Sequence, residues 1–514
     1  MKKTVLAKPK NFNLWLTDKY IYIMLLIFPL FTGFWGYSEI TASKIAFFAT
    51  LSLIWLLSLL VLQIAKKKPK AITKPSIPEI CVLAYLLLCC ISALFSPDKG
   101  AVLLGAGRGD GLLGIALCCF VFFGISRFGR PRAGYIYALA VSCSLCCIVA
   151  LLQLLGLNPL ALFPGDLTYY DAGIKYSSAF LGTIGNTDLF SAFLCLAVPL
   201  FASYYIISKK RPFALLPALF IGAFCLVACG VSGGMVAAAV CVLIALPFIV
   251  NDGERLRRAF EIAALLCLVL CVRVSLNTAL ENGAVDIAFN FSKKSAVLLA
   301  LAAAFIGLRF VFKNREFKAK TLPRVFAALS VFCVASGLAA VYFWQGDKGT
   351  IYEFSRLLHG EVDDSFGSSR ILIWRKCAEL IPGRLLLGGG PGTLALHLDV
   401  GFSTYVEQTG ATLQTFVDNA HNEYLGILLN TGLFSLLAYL SAIGASLLQA
   451  VRCGKNSPIF LCLACSCLCY WVQSFFGLGL LVVSPLMWVL WGLLASKRGQ
   501  RFTSSGASSA IKSL

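Results

Sequence analysis

The chain has 514 residues, of which 59% are hydrophobic and only 13% are charged, and its formal net charge is +20 at pH 7. Apolar runs long enough to cross a bilayer core of about 30 Å recur from end to end. This composition predicts a polytopic membrane protein rather than a soluble domain. We expect an all-α fold, because a membrane barrel would show short strands of alternating hydrophobicity instead.

The apolar runs predict about 14 (12–14) transmembrane helices. Their approximate positions are 20–40, 44–64, 77–95, 111–128, 134–157, 187–207, 212–229, 235–250, 259–276, 294–312, 325–345, 424–449, 457–476 and 478–495.

Basic clusters recur in alternate connections, which predicts the orientation of the chain. They are Lys66–Lys68, Arg127–Arg132, Lys209–Arg211, Arg255–Arg258, Lys313–Arg324, Arg452–Lys455 and Lys497–Arg501. Because basic residues concentrate on the inner side of a membrane, both termini are expected in the cytoplasm. We therefore predict cytoplasmic tails at 1–19 and 496–514, the second Ser-rich and disordered from Gly499, and a single membrane domain at 20–495 with an extracytoplasmic loop at 346–421. The basic excess suits the inner membrane surface, so we expect no nucleic-acid partner.

The 21 cysteines lie almost entirely within predicted spans, so no disulfide framework can be recognised. Four of them cluster at Cys462, Cys465, Cys467 and Cys469. Because this cluster sits in an apolar helix without polar neighbours, we interpret it as buried thiols rather than a metal site.

The long polar loop before the twelfth span contains all three histidines of the chain, His359, His397 and His421. Short helices are predicted at 350–359 and 368–381, the second ending at Pro382–Gly383. A flexible connection is expected at Gly388–Thr393. We expect Asp418 or Asn419 to cap the next helix, so that His421 lies in its first turn.

His421 is the candidate general base. The positive end of the helix dipole would keep its imidazole neutral, and a neutral imidazole can accept a proton from a hydroxyl. The alternative is an interfacial histidine that only caps a helix. His359 and His397 are interpreted as solvated loop residues, and no spacing typical of a metal site occurs.

Arginines near the loop are candidate anion ligands. Arg370 and Arg375 flank Trp374 on the second short helix, and two guanidinium groups suit a pyrophosphate, although lipid headgroup phosphates are an alternative partner. Arg108 stands in a glycine-rich turn, Gly105–Gly111, where the backbone could approach a ligand closely. The stretch Gly182–Asp188 could shape a cavity, or merely cap a helix through Thr187 or Asp188.

Four motifs occur in a fixed order over about residues 95–440. They are Arg108–Leu113 after a Ser96–Asp98 turn; Gly182–Thr187; Ser369–Trp374 followed by Leu387–Thr393; and Ala420–Leu425 followed by Asn430–Leu433. In this order, with an outer loop between the last two, the chain resembles the O-antigen ligase and O-antigen polymerase superfamily of integral membrane glycosyltransferases.

The resemblance implies a GT-C-like enzyme of the cytoplasmic membrane with its active site on the extracytoplasmic side. Its donor would be a polyprenyl-pyrophosphate-linked glycan and its acceptor a hydroxyl of a glycan or lipid-linked molecule, in contact with membrane lipids and without a nucleotide sugar, metal or other cofactor. His421 would be the essential histidine. Arg108, Arg370 and, by local reasoning, Arg375 would bind the donor pyrophosphate, and the cavity would be shaped by Gly185, Asn186, Trp374, Asn422 and Glu423.

One motif departs from the family pattern. The turn Cys229–Gly234 lacks the arginine that many members carry there, so Arg375 or Arg384 would have to substitute, or the donor contact differs. A transporter or flippase of lipid-linked or small polar solutes remains the alternative. Its mark would be mid-span charge, whereas Arg273 and Arg309 both lie near span ends, which favours chemistry at the membrane surface. Ligase and polymerase activity, the sugar and the acceptor are left open.

Overall fold

The computed structural model describes residues 12–65, 74–163, 169–171, 174–176, 180–281, 284–318, 320–406 and 411–496. The predicted basic clusters Lys66–Lys68 and Lys497–Arg501, and the tail predicted from Gly499, lie outside these ranges.

The described chain is mainly helical. Its α-helices are α1 (Phe12–Leu26), α2 (Ile40–Ile64), α3 (Ile77–Phe95), α4 (Leu112–Phe128), α5 (Ala133–Leu154), α6 (Thr187–Ile207), α7 (Leu215–Ala228), α8 (Ser232–Ile249), α9 (Gly253–Ser275), α10 (Lys293–Val311), α11 (Thr321–Tyr342), α12 (Thr350–Leu358), α13 (Phe366–Arg384), α14 (Glu423–Thr431), α15 (Leu433–Gly454), α16 (Ile459–Gln473) and α17 (Ser484–Leu494).

Three antiparallel hairpins, which the sequence pattern did not predict, interrupt the helices. They pair β1 (Tyr169–Asp171) with β2 (Ile174–Tyr176), β3 (Leu276–Glu281) with β4 (Ala284–Phe289), and β5 (Gly401–Val406) with β6 (Ala411–Phe416). Each hairpin lies in a connection between helices, so the fold remains helical in its framework.

Eight helices in the described part of the chain are long and apolar enough to cross a membrane. They are Gly36–Ile64, Ile77–Phe95, Ala133–Leu154, Thr187–Ile207, Ser232–Ile249, Lys293–Val311, Thr321–Tyr342 and Leu433–Gly454, with four shorter apolar helices beside them at Leu112–Phe128, Leu215–Ala228, Ile459–Gln473 and Ser484–Leu494. The mainly helical, multi-pass membrane architecture is therefore confirmed. The number fourteen and the side on which the loop lies stay predictions.

Two predicted spans are not continuous helices. The span predicted at 20–40 ends as α1 at Leu26, and a 3-10 turn that contains Pro29 follows. Lys44 of α2 is fully buried and its Nζ donates to the carbonyl oxygens of Phe28 and Pro29 at 3.0 and 3.1 Å, so the break is stabilised by hydrogen bonds from a buried lysine.

The span predicted at 424–449 is divided into α14 and α15 at Gly432. This glycine has φ +86°, and a Cβ there would lie 2.1 Å from the carbonyl oxygen of Leu386. The close approach of the loop backbone at this point requires a residue without a side chain.

The main hydrophobic core surrounds α6, whose apolar stretch is mostly buried. The 18-residue apolar stretch of α11, by contrast, contains no buried residue. The long loop has a small core of its own. It consists of Ile373, Cys377, Leu394, Leu398, Val400, Val417, Ala420 and Leu429. Because Leu429 belongs to α14, this small core fixes the loop onto the helix that follows it.

Both short helices predicted in the loop are present, as α12 and α13. The second continues to Arg384, past the predicted stop at Pro382–Gly383. Its regular part is preceded by three residues with positive φ, Gly367–Ser369, so the helix effectively starts at Arg370.

Candidate active site

The glycine run after α13 is closely packed and not the flexible connection that was predicted. The amides of Gly389 and Gly390 donate to the carbonyl oxygens of Leu429 and Asn430 at 2.9 and 2.8 Å. Gly390 has φ +118°, and a Cβ there would lie 2.4 Å from Ser96 Oγ. The missing side chains let this segment lie between the α14–α15 break and the connection after α3.

Two further contacts join the same segment to that connection. The amide of Ala106 donates to the carbonyl oxygen of Gly392 at 2.9 Å, and His397 Nε2 lies 2.7 Å from Asp98 Oδ2. His397 is therefore a partnered residue and not simply a solvated one. His359 is also partnered, because its ring stacks on Tyr342 at 4.3 Å.

His421 lies just before a helix and not in its first turn. Asn422 is the N-cap of α14, since its side chain accepts a hydrogen bond from the amide of Leu425 at 3.1 Å. His421 itself has φ +44°, and its amide donates to Asn419 Oδ1 at 3.0 Å. The predicted caps Asp418 and Asn419 are thus used otherwise: Asn419 forms a turn, and Asp418 forms an ion pair.

Trp374 fixes the backbone beside the histidine. Its indole Nε1 donates to the carbonyl oxygen of Ala420 at 3.0 Å, and its ring packs edge-to-face against Phe475 at 5.5 Å. The tryptophan of α13 therefore helps to hold His421 in place.

Burial is the main reason that the pKa of His421 is lowered from its ordinary value, and the positive charges of Arg370 and Arg108 lower it further. Asp188 and Asp418 oppose this shift. The imidazole is consequently neutral near pH 7, as expected, but because of burial and nearby arginines and not because of a position in the first helical turn.

His421 lines two cavities. The first, of about 150 Å³, is also lined by Arg108, Asp110, Asp418 and Glu423. The guanidinium Nε of Arg108 donates to Asp418 Oδ2. Burial raises the pKa of Asp110.

The second cavity has a volume of about 460 Å³ and is lined by Arg370, Asp188, Glu353 and Trp374 as well as His421. Arg370 Nη2 lies 3.6 Å from Asp188 Oδ2, and Nη1 donates to the carbonyl oxygen of Gly367 at 2.7 Å. The Nε of Arg370 is buried and has no hydrogen-bond partner among the described residues.

Several predicted site residues lie outside both cavity linings. Arg375 is about half exposed and pairs with Asp364 at 2.6 Å. Gly185 packs against Ile40, and Asn186 caps α6 by accepting from the amide of Leu189 at 3.1 Å.

Arg384 also lies outside both cavity linings; its Nη1 is buried without a partner in the described chain. Asn422 and Glu423, which were predicted to shape the cavity, line the first cavity.

Four acidic residues of the two cavities were missed as site residues. Asp188 and Asp418 were considered only as helix caps. Asp110 lies within the recognised motif Arg108–Leu113 but was not considered as a site residue, and Glu353 gave no signal of its own. The partner of Asp418 is 310 positions away, a separation that the sequence pattern alone cannot bridge.

The cysteine cluster Cys462, Cys465, Cys467 and Cys469 is buried in α16, and all four thiols are free. Within the described ranges, no three His, Cys, Asp or Glu side chains come together so as to hold a metal ion.

The fold is thus a multi-pass helical bundle with a neutral histidine that lines one cavity together with Arg108 and a second cavity together with Arg370. Residues 283–440 match the family model described as O-antigen ligase. The match spans Arg370, Trp374 and His421 and confirms the resemblance of the chain to the O-antigen ligase and polymerase superfamily. A search of curated proteins finds no match. The family indicates an enzyme with a glycan-transfer role in cell-surface polysaccharide synthesis.

Proposed function

We propose that the protein transfers a polyprenyl-pyrophosphate-linked glycan to an acceptor hydroxyl at the outer face of the cytoplasmic membrane. One observation carries the proposal: a neutral histidine and an arginine with an unused, buried donor line the same cavity. The rest of that wall is largely apolar, with Val231, Val236, Phe354, Leu357, Phe366 and Phe476.

The second cavity suits the amphiphilic end of such a donor. Arg370 Nη2 lies 3.6 Å from Asp188 Oδ2, and Nε is unpartnered in the described chain, so that a pyrophosphate oxygen could replace Asp188 at Nη2 and also bind Nε. The apolar side chains of the same wall would accept the first isoprenoid units. A phosphate and a hydrocarbon chain therefore find complementary surfaces within one cavity.

The reaction is a displacement at the anomeric carbon of the donor sugar. The acceptor oxygen forms a bond to this carbon while the bond from the carbon to the pyrophosphate oxygen breaks. The hydroxyl proton passes to the imidazole of His421, and the lipid pyrophosphate leaves with the electron pair, held by Arg370. No nucleotide sugar or metal takes part in this scheme.

The two groups would contribute comparable amounts. A positioned general base accelerates a reaction by about 10² to 10⁴. A preorganised cation at a site of developing negative charge is commonly worth about 3 to 4 kcal/mol, or roughly 10² to 10³ in rate. Loss of either side chain should therefore be readily measured.

The test is a reconstitution. Purified protein in lipid vesicles is supplied with the lipid-linked saccharides extracted from a strain that lacks it, and the products are analysed by mass. A new glycosidic linkage together with free polyprenyl pyrophosphate supports the proposal. Saccharide that crosses the vesicle membrane with its covalent structure unchanged would reject it in favour of a transporter or flippase.

A further inference from the structure

We propose that the first cavity is the binding site of the acceptor saccharide and delivers one of its hydroxyls to His421, while the donor occupies the second cavity. This inference rests on the proposed function. It gives Arg108, Asp110 and Glu423 a role on the acceptor side, whereas the family resemblance led us to expect Arg108 at the donor phosphates.

The position of His421 is the first argument. It is the only residue shared by the two described linings. In a direct displacement, the nucleophile attacks the reacting carbon from the side opposite to the leaving group, and the base must contact the nucleophile. A base between two cavities, only one of which contains Arg370, leaves the other cavity for the nucleophile.

Unused hydrogen-bonding groups are the second argument. Tyr439 donates to Glu423 Oε1 at 2.9 Å, whereas the buried Glu423 Oε2 forms no hydrogen bond of regular geometry in the described part of the chain and has only the hydroxyl of Ser474 beside it. A buried acceptor in this state is costly, and a hydroxyl of a ligand would satisfy it.

The amides of the same cavity are also preorganised. Asn430 Oδ1 accepts from the amides of Thr393 and Leu394 at 3.1 and 2.9 Å, and Asn422 Oδ1 accepts from Leu425. Both side chains are thereby held by their oxygens, so each can offer its amide nitrogen as a donor. Fixed donors and acceptors are what a ligand rich in hydroxyl groups requires.

Charge is the third argument. The first cavity has three acidic side chains, those of Asp110, Asp418 and Glu423, against the single guanidinium of Arg108, which is already paired with Asp418. The second cavity has two carboxylates against Arg370, whose Nε is unused. An anionic pyrophosphate is therefore less favoured in the first cavity, whereas a neutral saccharide suits it.

Aromatic rings complete the lining. Tyr85 and Tyr439 have ring centroids 5.2 Å apart, and Trp488 lies 6.3 Å from Tyr439. All three line the first cavity. A cavity with aromatic walls and a few convergent polar groups binds a small polar ligand in a defined orientation.

The experiment compares two probes on the same purified protein. The oligosaccharide released from the lipid carrier by mild acid is the acceptor probe, followed by saturation-transfer NMR; polyprenyl pyrophosphate is the donor probe. Variants Glu423→Gln and Asp110→Asn test the first cavity, and Arg370→Ala and Glu353→Gln test the second. Melting temperatures confirm folding, and two first-cavity variants are used in case one fails to fold.

We expect saccharide binding to weaken about tenfold in the first-cavity variants, as one lost charged hydrogen bond implies, and to change less than twofold in the second-cavity variants. Polyprenyl pyrophosphate binding should weaken about tenfold in Arg370→Ala and should change less than twofold in the first-cavity variants. It should not weaken in Glu353→Gln, because this change removes a negative charge from the second cavity. Saccharide binding that depends on Arg370 and not on Glu423 or Asp110, or no saccharide binding to the unaltered protein, would overturn the inference. Saccharide binding of the expected pattern without any binding of polyprenyl pyrophosphate would instead reject the proposed donor and leave the saccharide site standing.

Discussion

Arg108 and Asp418 form an ion pair across 310 positions of the chain. Arg108 belongs to the connection between α3 and α4, and Asp418 stands three residues before His421. The pair therefore ties the first recognised motif directly to the segment that contains the candidate base.

Removal of either member of this pair should lower the transfer rate with little loss of stability. The exposed fraction of the side chain is 42% for Arg108 and 34% for Asp418. Because water screens an exposed ion pair, this pair should contribute less than about 1 kcal/mol to the stability of the fold. Arg108→Ala and Asp418→Asn are each expected to lower kcat several-fold, and the double variant to be no worse than the single ones. Steady-state kinetics and melting curves of all three check this. Losses that multiply in the double variant would mean that the two residues act independently.

The pH dependence of the reaction should shift in opposite directions when Arg370 and when Asp188 of the second cavity are neutralised. His421 acts when neutral, so activity falls as the pH drops through its pKa, and burial together with Arg370 puts that pKa below its ordinary value. Arg370→Gln removes a charge that lowers the pKa, so the acid limb should move to higher pH. Asp188→Asn removes a charge that raises the pKa, so the limb should move to lower pH.

This prediction is checked by the pH profile of kcat/KM and by NMR titration of labelled histidines, with His421→Gln to assign the signal. Shifts of the same sign in the two variants would contradict the electrostatic account of this histidine.

Trp374→Phe should impair catalysis more than stability. The change removes the hydrogen bond from Nε1 to the carbonyl oxygen of Ala420 but keeps a ring against Phe475. The expected cost in stability is about 1 kcal/mol, with a several-fold fall in kcat because the backbone before His421 is released. Trp35→Phe is the control, since Trp35 is 74% exposed. Equal kinetics for both variants would show that Trp374 does not position the histidine.

Gly390→Ala should disrupt the packing between the loop and the connection after α3. A Cβ there would lie 2.4 Å from Ser96 Oγ, and the φ of +118° is strained for any other residue, which together should cost about 2 to 3 kcal/mol. Gly383→Ala is the matched control, because nothing lies within 4 Å of its Cβ position. Thermal unfolding of the two variants provides the comparison, and similar stabilities would contradict the close packing described here.

Elements with a strong local signal could be predicted from the sequence. The amphipathic stretches that form α12 and α13 were recognised, as were the motifs around His421 and Arg370. The cap of α14 was assigned to the wrong residue, because Asp418, Asn419 and Asn422 are all good capping residues and only tertiary contacts choose among them.

Features that depend on distant partners could not be predicted. The break at Gly432 arises because the backbone of Leu386 approaches it, and nothing near Gly432 in the sequence reveals this. The same holds for the contact of Arg370 with Asp188, which selects Arg370 over the neighbouring Arg375 as the arginine of the second cavity. Periodicity and capping rules are local, whereas the site is built from long-range contacts.

The most direct test of the central claim, that His421 and Arg370 act together on a lipid-linked glycan, is mass analysis of lipid-linked saccharides in cells. A strain lacking the protein is complemented with the unaltered chain, His421→Gln, Arg370→Ala or, as a matched control, Arg375→Ala, with equal amounts of protein in the membrane. We predict that the precursor accumulates and polymeric glycan disappears for His421→Gln and Arg370→Ala, while Arg375→Ala behaves as the unaltered chain. Normal polymer and no accumulated precursor in both of the first two variants would contradict the account.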